Sequence, residues 1–413
     1  MSSFFPQHPH HPREAARLYR LKSYLVNAML ILMSLALVEF CAALYLNFLA
    51  ANPRPLKARN VPWHVYEPYR NHALGPGWNF RGIVHNSQGF RRTTEVSQIK
   101  PANGYRIFLM GGSAAYGISA APPFPPAVIT NEQTIDYKLE QLLRPLFPEM
   151  HIEVINAAVT AYWTHHHLIY LHETLLDYNP DLIIFFDGIN DYYYTNPQHT
   201  QFLSYKYSMT LKTEELNHPR PMSAMHMLLD WGKQYSHTLF MVSEVADRLL
   251  RWNEPPEDLD RDAAIQPDNL NAAFVERYEA IAKRTWVRTL RSILLLLNDQ
   301  GVSAITSLQP ELVFSQTQGM SAGDLRLQHL ELSRRTPYYR ERKEFLKPVT
   351  RQLAATTARD LGATFVDLTD VFDDQNQYFI DYCHLSEAGA ERIAERLLPY
   401  VKAKIEQRKQ DAR

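Results

Sequence analysis

From Tyr105 onward, short apolar runs alternate with longer segments of helical spacing, and this alternation leaves the chain few architectures. YRIFLM (105–110) stops at Gly111, and HIEVINAA (151–158), DLIIFF (181–186), VSAITSL (302–308) and ATFVDL (363–368) repeat the short apolar pattern. Between them, residues 132–147, 163–178, 271–301, 338–362 and 386–407 carry apolar side chains at the three-and-four spacing of an amphipathic helix. Asn179-Pro180 closes the second of these, Gly301 stops the third, and Ser386 is placed to cap the last. Pro348 should kink or split the fourth, because proline removes an N–H and crowds the preceding turn. Strands alternating with helices of this length predict a three-layer α/β/α sandwich around a five-stranded parallel sheet. Ligands then bind beyond the carboxyl ends of the strands.

Other stretches stand outside the alternation. Residues 192–270 and 309–337 read as insertions over the site; the first holds one or two helices, with Met222, Met225 and Met227 near Trp231 as its core. Residues 51–104 form a Pro- and Arg-rich lead-in, where VHNSQGFRR (84–92) suggests two short strands around a turn at 86–89. Residues 1–23 are a tail whose His8, His10 and His11 have no carboxylate or thiol beside them.

Residues 24–50 contain an apolar core from Ala28 to Leu46, long enough to cross a hydrocarbon layer as one helix. Only Ser34 and Glu39 interrupt it. A charged carboxylate at mid-membrane costs roughly 2.5–3.5 kcal/mol on insertion scales, which the surrounding Leu, Ile, Met and Val residues offset. Arg13, Arg17, Arg20 and Lys22 precede the run and Arg54, Lys57 and Arg59 follow it, a slight bias toward an inside N-terminus. The long polar stretch ahead of the run favours a single-pass anchor over a cleaved signal peptide. With 43 basic and 44 acidic residues, the chain lacks the basic surface a nucleic-acid partner demands. Its two cysteines, Cys41 and Cys383, are not expected to pair.

Four short stretches fall at the expected strand ends: Gly111-Gly112-Ser113, Asn156-Ala157-Ala158, Gly188-Ile189-Asn190-Asp191 and Asp381-Tyr382-Cys383-His384. A serine hydroxyl becomes a nucleophile when a base takes its proton, and an acid must hold that base in the right tautomer. Asp381 and His384 are three residues apart, within reach through one turn, and a parallel sheet brings Ser113 to the same edge. Developing negative charge needs donors; the Ser113 N–H, the Ala158 N–H and the Asn190 side-chain amide are placed to supply them. Each residue also has a plainer role open to it: Ser113 as a helix cap, Asn190 as a turn former, Asp191 as a helix cap, His384 as a loop histidine. His165, His166 and His167 are consecutive on a helix, so they cannot all face one metal; they read as helix surface or site lining. No cofactor motif and no metal site stands out.

Together the stretches FLMGGSAAYG, INAAVTAY, GIND and DYCHLSEAG resemble the four blocks of the SGNH/GDSL hydrolase superfamily, over about residues 105–405. The resemblance implies a flavodoxin-like sheet, Ser113 as nucleophile, and Asp381 and His384 as the rest of a triad. It also implies an oxyanion hole from Ser113, Asn190 and the block-two position, where Ala158 stands in place of glycine. Alanine keeps the N–H but resists positive φ. The first block reads Gly-Gly-Ser where the family pattern has Gly-Asp-Ser. The lead-in around HNSQGFRR is similar to one found in envelope-associated members. The resemblance implies an esterase acting on a small-molecule or carbohydrate ester, with O-acyl groups on envelope carbohydrate favoured. An O-acyltransferase acting on a polysaccharide, and a non-catalytic glycan-binding or assembly protein, are the alternatives. The expected setting is a bacterial inner membrane, with the domain on the extracytoplasmic side.

Overall fold

In the computed structural model, residues 12–45, 63–118, 127–194, 236–239, 241, 242, 245, 270–314, 320–333, 339–372 and 376–411 are described. The three tail histidines, the methionines near Trp231 and most of the 192–270 stretch lie outside these residues. The chain divides into two compact units, one of residues 1–60 with 212–256, the other of 61–211 with 257–413.

In the first unit, helix α1 (Pro12–Leu44) contains the apolar run, and its Arg20–Leu44 portion is long and apolar enough to cross a membrane.

The second unit begins with two small hairpins, β1 (His64–Glu67) with β2 (Asn71–Leu74) and β3 (Asn79–Phe80) with β4 (Ile83–Val84). The alternation then unfolds as β5 (Gly104–Gly111), α2 (Ser113–Tyr116), α3 (Ile135–Leu143), β6 (His151–Asn156), α4 (Thr164–Glu173), β7 (Leu182–Asp187) and α5 (Ile189–Tyr194). It continues as α6 (Ala272–Ala282), α7 (Arg288–Asp299), β8 (Ser303–Leu308), α8 (Ala322–Leu332), α9 (Tyr339–Asp360), β9 (Thr364–Asp367) and α10 (Glu387–Asp411). Strands β5 to β9 form one parallel sheet in the order β6-β5-β7-β8-β9. This is the flavodoxin-like order, whose direction reverses between β5 and β7. In the central strand, Ile183, Ile184 and Phe186 are fully buried, as expected of a strand covered by helices on both faces.

Three local expectations change. Helix α9 runs unbroken through Pro348. Pro348 and Glu344, whose carbonyl loses its partner, are both exposed, so water can take that bond. The 271–301 helix is not one uniform rod: α6 and α7 join through a wider π turn at Lys283–Val287, with Trp286 and Val287 buried. VHNSQGFRR does not form two strands; the hairpin lies earlier, at 79–84, and only the turn at 86–89 holds. There the Asn86 side-chain oxygen accepts from the Gln88 and Phe90 N–H groups, so this stretch bonds to itself instead of to a ladder.

The lead-in from residue 63 packs into the core of the second unit. Phe90 packs on Phe108 of β5 and on Tyr178. The buried Arg91 guanidinium donates to the carbonyls of Tyr116, Gly117 and Ile129, fixing the end of α2. Trp63 Nε1 donates to the Tyr116 hydroxyl, which lies 2.8 Å from His85 Nε2, while His85 Nδ1 is 3.0 Å from the Gly75 carbonyl. These bonds suit a neutral His85 with its proton on Nδ1 and Tyr116 as donor to Nε2.

Burial holds the His85 pKa down at about 4, with Arg91 adding to the effect. The unfolded chain then binds a proton that the folded chain refuses, so His85 favours folding fully above about pH 6.5 and loses that contribution as pH falls toward 4. Denaturation of wild type and His85→Gln at pH 7 and pH 4 should show wild type losing more stability, by up to roughly 3 kcal/mol. Equal losses in the two proteins would contradict a neutral buried His85.

Candidate active site

Ser113 is the first residue of α2, directly after β5. Gly111 pairs in register with Phe186, so Ser113 and Asn190 emerge from adjacent strands at the switch point of the sheet. Asp381, Cys383 and His384 lie on the loop before α10, closed by a bridge between Phe379 and Leu385. Ser386 caps α10 as expected, accepting from the Gly389 N–H.

The three residues singled out for chemistry meet. Ser113 Oγ lies 2.7 Å from His384 Nε2, and His384 Nδ1 lies 2.6 Å from Asp381 Oδ2. The other Asp381 oxygen accepts from the backbone N–H groups of Cys383 and His384, which locks the carboxylate in plane with its own loop. Burial pushes the Asp381 pKa up, but the His384 ring and these N–H groups outweigh it and hold the carboxyl below its usual range. An ionised Asp381 fixes the proton on His384 Nδ1 and leaves Nε2 to accept from Ser113. The loop is itself held from outside: Asp324 of α8 accepts from the Tyr378 and Phe379 N–H groups, and the Leu312 N–H donates to the Tyr382 carbonyl. Within 309–337, described residues therefore buttress the loop that carries Asp381 and His384.

Asn190 Nδ2 donates to the Tyr162 carbonyl at 2.7 Å, which uses one of its two amide protons. A Cβ at Gly112 would come within 2.5 Å of that nitrogen. The Gly-Gly-Ser sequence is thus a steric fit to Asn190, and an aspartate at 112 would require the amide to move.

At the block-two position the Ala158 N–H is engaged within its own loop. The Ala158 N–H donates to Asn156 Oδ1 at 3.1 Å, and Ala158 is fully buried with no positive φ. The strained alanine is Ala161, with φ of 63°, between Thr160 and the residue whose carbonyl holds Asn190. Counting from Asn156 cannot reveal which alanine bends into the left-handed region.

The hairpin β1–β2 grips this bent loop. His72 Nε2 is 2.9 Å from the Thr160 carbonyl, and His64 Nε2 is 2.9 Å from Thr160 Oγ1. The Tyr162 hydroxyl donates to the His72 carbonyl, and Arg70 donates to the Tyr162 hydroxyl while stacking on Tyr170. Arg70, His64, His72 and Tyr162 escaped sequence reading because their contacts span some 90 positions.

Of the three consecutive histidines, His166 and His167 are buried and His165 is half-buried. His165 packs on Trp163, His166 stacks on Tyr162, and His167 lies 3.2 Å from Asp187. Burial lowers the His165 pKa to about 4 and that of His166 to about 2, keeping both rings neutral. Asp191 accepts from the Thr164 N–H and hydroxyl, so it caps α4. Burial and the neighbouring Asp187 raise its pKa to about 7.

Among the described residues, Asp381, Cys383 and His384 form a group whose potential ligand atoms lie within 4.8 Å of one another. Both His384 nitrogens are already engaged with Asp381 and Ser113, and burial keeps the Cys383 thiol protonated, whereas a metal would need the thiolate. The donor set fits a proton-transfer triad better than a metal.

No family model and no curated protein matches the chain. Solved structures similar to it include an acetylxylan esterase from Geobacillus stearothermophilus, 14% identical with a TM-score of 0.37, covering 73% of this chain and 95% of that one. An alpha/beta hydrolase from the metagenome of Lake Arreo, Spain, is 12% identical with a TM-score of 0.36, covering 73% of this chain and 96% of its own. Likenesses of this size assign no activity to the chain.

Two outcomes follow from the geometry. Gly112→Ala and Asn190→Ala should each slow fluorophosphonate labelling of Ser113 by on the order of 100-fold, and the double variant should be no slower than either. Additive losses would show that Gly112 does not act through Asn190. Ala161→Gly should raise stability by up to about 1 kcal/mol in chemical denaturation, since relief of left-handed strain exceeds the added entropy of the unfolded chain. A loss of stability would contradict strain at 161.

Proposed function

We propose that the chain is a serine ester hydrolase of the SGNH/GDSL type, with Ser113, His384 and Asp381 as its triad, held at a membrane by α1. The observation that carries this reading is the 2.7 Å approach of Ser113 Oγ to His384 Nε2, with Asp381 on the opposite ring nitrogen. His384 takes the Ser113 proton as Oγ attacks the ester carbonyl, and the carbonyl oxygen becomes an oxyanion. The second amide proton of Asn190 and the Ser113 N–H, at the start of α2, stabilise that charge. His384⁺ returns the proton to the leaving alcohol, which departs and leaves an acyl-serine. Water, deprotonated by the same ring, then releases the acid.

The favoured substrate is a short O-acyl ester on envelope carbohydrate. α1 is read as a retained single-pass anchor with its basic N-terminal flank inside, which places the catalytic unit on the extracytoplasmic side of a bacterial inner membrane. The ring of residues 63–91 supports the reading, since it braces the helix that Ser113 begins and the Thr160–Tyr162 loop, whose Tyr162 carbonyl holds Asn190.

Full-length protein in detergent should hydrolyse p-nitrophenyl acetate faster than longer-chain analogues. Ser113→Ala should lower kcat/KM at least about 1,000-fold. Equal rates in the two proteins would reject the hydrolase reading, and a preference for octanoyl over acetyl esters would reject the short-acyl substrate.

A further inference from the structure

Glu39 is the one acidic or basic residue inside the apolar stretch of α1, and its partners are 197 to 199 positions away. Ser236 Oγ donates to Glu39 Oε2 at 2.7 Å, and the Thr238 N–H donates to the same oxygen at 3.0 Å. The His237 N–H donates to Oε1 at 2.6 Å, with His237 Nδ1 also 2.8 Å from that oxygen. Ser236 Oγ in turn accepts from the Leu239 N–H, and residues 237–239, 241, 242 and 245 are helical. Ser236 is therefore the N-cap, and the Glu39 carboxylate covers the first N–H groups of the helix that follows. A carboxylate and a bare helix N-terminus are each costly in hydrocarbon; here each satisfies the other.

Two further observations set the surroundings. Glu39, Ala42 and Ala43, at i, i+3 and i+4, form the covered side of α1: Ala42 is buried and Ala43 half-buried, while Leu30, Leu35 and Leu37 are exposed. Small residues at this spacing let a second helix approach closely, as at helix contacts in membranes. On the helix beginning at Ser236, Leu239, Val242 and Val245 are 37%, 48% and 54% exposed, and their spacing confines them to an arc of about 120°. That is an apolar stripe on the outside of a helix joined to a lipid-spanning one. Glu39 lies five residues before Leu44, about 7.5 Å along the axis, which sets the contact inside the hydrocarbon layer, toward the C-terminal end of the span.

We propose that the helix beginning at Ser236 lies in the membrane beside α1, latched by Glu39, with Leu239, Val242 and Val245 in contact with lipid acyl chains. The inference rests on the reading of α1 as a retained span and is independent of the hydrolase chemistry. It gives Glu39 a function, and it makes part of the 192–270 stretch a membrane-contacting element.

The test uses full-length protein in lipid nanodiscs, with Cys41→Ser as background. A spin label is placed in turn at Leu239→Cys, Val242→Cys and Val245→Cys, with Leu35→Cys in α1 as reference. Collisions with oxygen, which partitions into lipid, are compared with collisions with a water-soluble nickel chelate. Oxygen should be favoured several-fold at all three positions, as at 35. Glu39→Ala, and separately His237→Ala, which leaves α1 intact, should shift 239 and 242 toward the chelate without changing 35. Chelate access at 242 with lipid contact at 35 would overturn the latch and leave the anchor standing. Chelate access at both would overturn the anchor and the latch together. Lipid contact at 242 unchanged in both variants would show that Glu39 does not hold the helix.

Discussion

The hydrogen bond between Ser113 and His384 joins residues 271 positions apart, and the rest of the second unit serves to make it. No local segment could bring these groups together. A parallel sheet does so because successive strands present their carboxyl ends at one edge, however long the connection between them. The strand order reverses between β5 and β7, so the two strands leading to Ser113 and Asn190 are neighbours, and the chain passes away from both sides of the resulting crevice.

Holding the parts at that edge takes more than the sheet. Ser113 begins a helix of only four residues, too short to stand alone, and Arg91 ties its far end to the lead-in. The Thr160–Tyr162 loop carries a strained alanine and is clamped by two histidines of the first hairpin. Strain of this kind persists only where surrounding contacts over-determine the backbone. The loop carrying Asp381 and His384 depends in the same way on Asp324. Under the proposed hydrolase chemistry, groups fixed in this way before substrate binds need no reorganisation when charge develops.

The sheet was legible in the sequence because its strands are short, continuous apolar runs and its helices keep a 3.6-residue period, two patterns hard to confuse at these lengths. The meeting of Ser113, Asp381 and His384 was legible because these residues stand in stretches that follow the strands, where a parallel sheet brings distant segments to one edge. What failed depended on backbone angles or on distant partners. Ala158 and Ala161 look alike in sequence, and only the bend at 161 distinguishes them. The Asn86 stretch has strand-like flanks, but its side chain captures the N–H groups a ladder would need. Pro348 left its helix whole because the lost bond faces solvent, which residue type does not disclose. Arg70, His72 and Glu39 bond to partners far along the chain, so no window of sequence contains both ends of the contact.

The central claim is that His384 activates Ser113 for covalent chemistry. Rapid quenching of full-length protein mixed with excess acetyl ester, followed by peptide mass spectrometry, tests it most directly. The account predicts one acetyl group on the peptide containing Ser113 in wild type and none in His384→Ala. Acetylation of another residue, or equal acetylation of Ser113 without His384, would contradict it.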